Sequence, residues 1–252
     1  MTLPAVKGWS WNAPTATPVV SPTNNPSGAA IAPGDWMVLV WGWSATTALR
    51  TGILAAPWRE RIAPLGVGTM AWSVWTGVRK AGDTSYTIAL AAGTQAPDWM
   101  LAWGSGPGPD ENAWVLGAVG NRAGAPTQFE VTAPGISVPP ESLVLALGME
   151  RTTASETLGQ ITADNGFTPY AMANPTNASA LLAYKQSVGG GAVGAVKVVW
   201  PNSHAANGQL VQLGIPGVRS SVGAAVGVVP GKSGLLTTVA APGKTPVLSV
   251  VG

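Results

Sequence analysis

Ala32-Pro33-Gly34-Asp35-Trp36-Met37-Val38-Leu39-Val40-Trp41-Gly42 reads as a loop that ends in a strand, and the chain uses the same grammar a second time further on. Pro33, Asp35, Met37, Val38, Leu39 and Gly42 match Pro139, Glu141, Leu143, Val144, Leu145 and Gly148 at a constant offset of 106, and Thr46 and Thr47 match Thr152 and Thr153. In each copy a proline closes a loop and an acid precedes an apolar run of strand length, so the carboxylate is expected to stay in water. Tyr86 to Leu90 and Met100 to Gly104 agree more loosely with Val196 to Trp200 and Leu210 to Gly214 at offset 110, which one small loop insertion explains. The expectation is an all-β, jelly-roll-like antiparallel β-sandwich with two pseudo-repeated halves and extended terminal arms.

Composition supports a folded body of this kind. Charged residues make up 10% of the chain, against a usual ~25%, and there are 33 Gly and 22 Pro among 252 residues, a content that few helices survive. Disordered Pro/Gly-rich chains lack apolar residues, whereas 46% of this one is hydrophobic and 12 residues are Trp. All the tryptophans except Trp200 fall in the first half, so the halves share a pattern but not a core. A net charge of +2 gives no electrostatic case for nucleic acid, and Arg59-Glu60-Arg61 and Arg79-Lys80 read most simply as solvated strand edges or loops. No Cys is present, which excludes disulfides and thiolate metal sites. No apolar stretch reaches ~18 residues, so no membrane-inserting helix is expected, and Met1 to Lys7 lacks the pattern of a secretory signal.

Along the chain, residues 1–30 read as an extended N-terminal arm, with Trp9 and Trp11 on one face of a strand. A body follows over 31–216, with halves of about 31–120 and 127–216. Trp36 to Trp43 reads as a strand covered on both sides, and the alternation from Met70 as one with a wet side. Thr153 to Thr162 is the stretch most compatible with a helix. Residues 217–252 contain no aromatic residue and no acid, so they read as a C-terminal extension, either a flexible tail or a strand-forming segment that packs on the body or on a neighbour, the second being favoured.

The candidate chemistry is thin. Gly189-Gly190-Gly191-Ala192-Val193-Gly194 has the spacing of a dinucleotide loop, but a strand pattern follows where that loop needs a helix. Gly227 to Ser233 is one residue short of a phosphate-binding loop, and Gly243-Lys244-Thr245 lacks the first glycine. His204 is the only histidine, so it lacks a triad, and Asp164-Asn165-Gly166 is a turn rather than a calcium loop. Asp110-Glu111 beside Trp114 suggests a glycosidase pair, yet nothing marks a partner acid at the separation that chemistry needs. No catalytic, cofactor or metal site is therefore expected. Trp9, Trp11, Trp43, Trp75 and Trp114 are the candidate contact residues, for an interface or for stacking on a glycan.

Ala32 to Val40, followed by Val78-Arg79-Lys80-Ala81-Gly82-Asp83-Thr84-Ser85-Tyr86-Thr87, resembles the strand grammar of minor tail and other virion proteins of phages that infect actinobacteria. The resemblance spans roughly residues 30 to 215. Where those proteins carry a Pro-x-Gly-Trp element, this chain has only Pro57-Trp58 and Pro64-Leu65-Gly66. The resemblance implies a non-enzymatic virion component in the tail or its tip, with other virion proteins and copies of itself as partners and a host-surface glycan as a further contact. A carbohydrate-binding adhesin, and a head decoration or fibre protein, are the alternatives.

Overall fold

The structure, a computed structural model, describes residues 3–12, 19–20, 27–44, 52–53, 58–67, 70–83, 86–87, 89–90, 98–106, 110–123, 129–151, 157–173, 179–201 and 207–217. All of them belong to one compact unit, Met1–Val218; the expected extension beyond Gly217 lies outside the described residues. The described residues are all-β, with two three-residue 3-10 turns, Glu111–Ala113 and Leu158–Gln160. The second turn falls in the stretch read as helix-compatible, of which residues 152–156 lie outside the described set.

The first sheet runs in the order Ser27–Gly28, Ala5–Asn12, Asp98–Ser105, Trp36–Ser44, Met70–Val78, Arg59–Val67. In the second sheet, Val115–Leu116 and Gly120–Ala123 pair with Asn207–Pro216, followed by Ser142–Arg151, Ser179–Ser187 and Thr168–Ala173. Every pairing is antiparallel, and the two orders correspond except that two short strands in the second sheet stand where Ala5–Asn12 does in the first, and Ser27–Gly28 has no counterpart there. The correspondence extends to a third sheet, in which Val196–Trp200 lies between Phe129–Ala133 and Thr162–Ala163. In the first half, Tyr86–Thr87 pairs with Val19–Val20 and Ala89–Leu90 with Gly52–Ile53. The outermost strands Arg59–Val67 and Thr168–Ala173 each contain a proline, Pro64 or Pro169, and a register shift, and both features discourage further strand pairing.

The repeat lies one residue away from its sequence match. Gly34 and Glu141 are the turn residues with positive φ, 88° and 61°. Gly34 N donates to Arg79 O at 2.8 Å, and Glu141 N donates to Val188 O at 3.0 Å. Asp35 Oδ2 accepts from Ala32 N at 2.7 Å, while Ser142 Oγ donates to Pro139 O at 2.7 Å. The structural offset is thus 107, not 106, because the left-handed turn residue sets the register and the proline does not. A slip of one residue moves every side chain to the opposite face of a strand. At 107, Trp36, Val38 and Val40 correspond to Leu143, Leu145 and Leu147, and all six line one shared core.

That core lies between the first and second sheets and draws on both halves, which corrects the expectation that the halves do not share a core. Trp36–Ser44 crosses Ser142–Arg151, and Asp98–Ser105 lies against Ser179–Ser187. The outer face of the second sheet packs on the third sheet through Val144, Ala146, Leu181, Val198 and Trp200. The outer face of the first sheet buries Met37, Leu39, Trp41, Trp75, Trp99 and Trp103. Volume is supplied from opposite layers in the two halves. Trp41 fills the interior where its counterpart is Gly148, and there the Trp200 ring comes across from the third sheet, 3.2 Å from the position a Cβ would take. Each large apolar side chain buried in this way contributes roughly 1.5–3 kcal/mol.

Three further expectations are corrected. Ala5–Asn12, from the expected arm, pairs with Asp98–Ser105 along its length and is a strand of the first sheet, because Val6 and Trp9, on either side of a register shift, pack on the core. Met70–Val78 has no wet side: residues 71–77 are all buried, so side chains on both faces of the strand are covered. Asp35 is also dry, at 4% exposure, and pairs with Lys7 Nζ at 2.9 Å.

Gly42 and Met149 are counterparts that meet across the shared core: a Cβ on Gly42 would lie 1.7 Å from Met149 Sδ and 3.2 Å from Ala71 O. Gly42→Ala is expected to cost about 1–3 kcal/mol by overpacking, and Met149→Ala about 2–5 kcal/mol by leaving a cavity. The double variant should cost less than the sum, because removal of the thioether admits the new methyl group. Urea unfolding of the four proteins measures the coupling, and strict additivity would contradict this packing.

Candidate functional site

Arg59-Glu60-Arg61 and Asp110-Glu111, with Trp114, lie far apart in sequence but meet at the edge of the first sheet. Register shifts flank Arg61, so the edge strand bulges there. The connection between the halves passes over this bulge as the turn Glu111–Ala113, capped by Asp110, whose Oδ1 accepts from Asn112 N at 2.8 Å. Arg61 Nε donates to Thr76 Oγ1 at 2.8 Å and its Nη2 to Glu111 O at 2.5 Å, and its guanidinium lies 5.6 Å from the centre of the Trp114 ring. Arg59 Nη1 donates to Asn112 Oδ1. Both arginines hold the connection down; Arg59 is exposed on the edge strand, as expected, whereas Arg61 is partly buried.

The electrostatics follow from partial burial. Desolvation pushes the Glu111 carboxyl above its usual range, and Arg61, Arg59, the Val78 N–H and Lys80 offset this only in part. Burial also lowers Arg61, as does the nearby Arg59 charge, with Glu111 acting the other way. Both guanidiniums bond to neutral acceptors, whereas Lys7–Asp35, Arg122–Glu130 and Lys197–Glu130 are ion pairs. Asp110 is engaged as a cap and Glu111 faces a main-chain N–H, so the two acids have separate structural tasks.

The five tryptophans singled out from sequence are not brought together. Trp75 is 5% exposed, meets Trp41 edge-on at 5.7 Å and donates its indole N–H to Ser73 Oγ at 2.7 Å. Trp114 is 4% exposed beneath Arg61. Neither ring offers a face to a ligand, because layers and ties of the same chain cover both. Trp9 is half-buried against the shared core, and Trp11 is 41% exposed on the same strand. Trp43 belongs to the strand Trp36–Ser44, but its side chain lies outside the described residues. Sequence reading missed Tyr170 and Tyr184, which meet edge-on at 5.7 Å beside the shared core. They are 14 positions apart, and only the pairing of Thr168–Ala173 with Ser179–Ser187 makes them neighbours.

The other motifs resolve as turns or fall elsewhere. Gly189 to Gly191 links two strands, with positive φ at Gly190 and Gly191, and no helix follows. Asp164-Asn165-Gly166 is a turn closed by Phe167 N donating to Asp164 O at 3.1 Å. His204, Gly227 to Ser233 and Gly243 to Thr245 lie outside the described residues. Among the described residues no three His, Cys, Asp or Glu side chains gather as a metal site, and no helix is long and apolar enough to cross a membrane. No protein-family model, curated protein or solved structure matches the chain.

The raised Glu111 pKa predicts a signed pH effect. A carboxyl that binds its proton more tightly when folded adds stability below the unfolded pKa, and this is lost as pH rises through the folded value. Wild type should therefore lose stability relative to Glu111→Gln as pH rises from below 4.5, the ordinary glutamate value, through the raised value of the folded protein. Thermal melts of both proteins across that window test this, and a pH-independent difference would contradict it.

Proposed function

We propose that this chain is a non-enzymatic structural protein of a phage particle, in the tail or its tip, and that it acts through assembly with other particle subunits. The observation that carries this reading is the use of polar chemistry to tie segments of the chain together. Lys7 holds Asp35, Gln186 Nε2 donates to Pro4 O at 2.7 Å, Gln212 Nε2 donates to Pro134 O and Gly194 O at 3.0 and 2.9 Å, and Arg61 pins the inter-half connection. Stacked sheets with apolar faces on both sides suit a component that bears load rather than one that turns over a substrate. The resemblance of the entry at Ala32 to Val40 and the turn at Val78 to Thr87 supports the placement in a particle, as does a charged content of only 10%, which suits burial against neighbours.

A glycan-binding adhesin is the second reading, supported by Trp11, which is 41% exposed beside the half-buried Trp9. Saccharide CH groups stack on such a ring face.

Mass spectrometry of purified, infectious particles of a phage encoding the chain is expected to find its peptides alongside the other structural proteins. Their absence from particles that retain infectivity would end the first reading. Glycan-array binding lost in Trp11→Ala but kept in Glu111→Gln would favour the second.

A further inference from the structure

Two Asn-Gly dipeptides lie among the described residues, Asn165-Gly166 and Asn207-Gly208, and the fold holds them in opposite ways. In such a pair the glycine nitrogen can attack the asparagine side-chain carbon. An N–Cγ bond forms, the Cγ–Nδ2 bond breaks, and ammonia leaves with the proton given up by the glycine nitrogen. Water then opens the five-membered ring to aspartate or isoaspartate. The attack requires a glycine nitrogen outside a strand ladder and a side chain held only by exposed contacts, which it can leave to swing over that nitrogen.

Asn207 meets neither requirement. It is 5% exposed at the start of Asn207–Pro216, opposite Arg151. Gly208 lies in the ladder between two strands, opposite Glu150 on one side and Arg122 on the other. Asn165 and Gly166 are exposed, and they are the two central residues of the turn Asp164–Phe167, with φ of 52° and 76°. The bond that closes this turn uses Asp164 and Phe167, so the Gly166 nitrogen is in no ladder.

We infer that Asn165 is a spontaneous modification site of the folded protein, converting through a succinimide to aspartate and isoaspartate, while Asn207 is protected until the second sheet opens. The reaction needs only water, and it stands independently of what the protein assembles with.

The conversion changes how the turn docks. Asn165 Nδ2 donates to Ala195 O at 3.1 Å and lies over Gly194, only 2.6 Å from where a Cβ there would be. An acid at this position has no donor for Ala195, so two oxygens face each other. The charged groups around it are Asp164, whose Oδ1 accepts from Lys197 N at 2.7 Å, and Lys185, whose Nζ donates to Asn165 O at 2.7 Å. Isoaspartate also lengthens the main chain within the turn. Both products weaken the attachment of Thr162–Ala163 to Val196–Trp200, at the edge of the third sheet.

The test is peptide mapping by tandem mass spectrometry during incubation of the full chain in mildly alkaline buffer, with and without urea. The expected result is conversion at Asn165 alone in native buffer and at both asparagines in urea. If native protein keeps Asn165 intact while urea converts both, or if Asn207 converts first in native buffer, the inference is overturned. Asn165→Asp should melt below wild type, and an equal melting temperature would overturn the docking role of the side chain.

Discussion

Both faces of the first and second sheets are apolar, so neither sheet can be left with one side in water. This constraint generates the rest of the structure. Antiparallel sheets commonly keep a wet face and show alternation, whereas near-continuous apolar strands are the mark of sheets covered on both sides. Trp36–Ser44 and Ser142–Arg151 are strands of the second kind, and they are the ones that cross at the shared core. Each half supplies one wall of that core, so each depends on the other for burial. The outer faces then need layers of their own, which the third sheet provides for the second half.

Within this stack, energy and specificity come from different groups. Ring and aliphatic burial drives compaction, and it outweighs local losses. Among the described residues the indole N–H groups of Trp36, Trp72, Trp99 and Trp114 have no acceptor, a cost of about 1–3 kcal/mol each that burial of the rings and of the aliphatic side chains around them offsets. Polar ties add little net stability but fix which segments meet. Lys7 to Asp35 sets the first strand against the strand-entry turn, and Arg61 sets the connection between halves against the edge strand. A partly buried ion pair is weak evidence for stability, and its effect here is on register and placement.

The long central strands were legible in the sequence because β-branched and aromatic runs alternate with Gly and Pro punctuation, but the proline-interrupted edge strands Arg59–Val67 and Thr168–Ala173 were not among those read. The repeat was legible too, but its register was misread. Pro33 and Pro139 attract the eye, yet the chain turns at Gly34 and Glu141, and Glu141 is a residue that a sequence reading would not place at positive φ. The site was less legible. Arg59, Arg61, Glu111 and Trp114 were each noticed, but not as neighbours, since about fifty residues separate the two groups and only the tertiary path brings the connection back over the edge strand. Trp75 and Trp114 read as candidate contact residues because indole rings are amphipathic, and a count of tryptophans does not reveal which ones the rest of the chain covers.

The sequence by itself determined the class of structure: an all-β chain of paired halves, held by apolar burial and without disulfides. Those properties depend on local periodicity and composition, which need no knowledge of distant neighbours. The tertiary structure alone decided which strand faces meet, that Asp35 is dry, that residues 5–12 belong to the first sheet, and that one Asn-Gly pair is exposed while the other is locked. Each of these depends on contacts between residues distant in sequence. A single residue of register exchanges inside for outside along an entire strand, and only the packed layers fix that register.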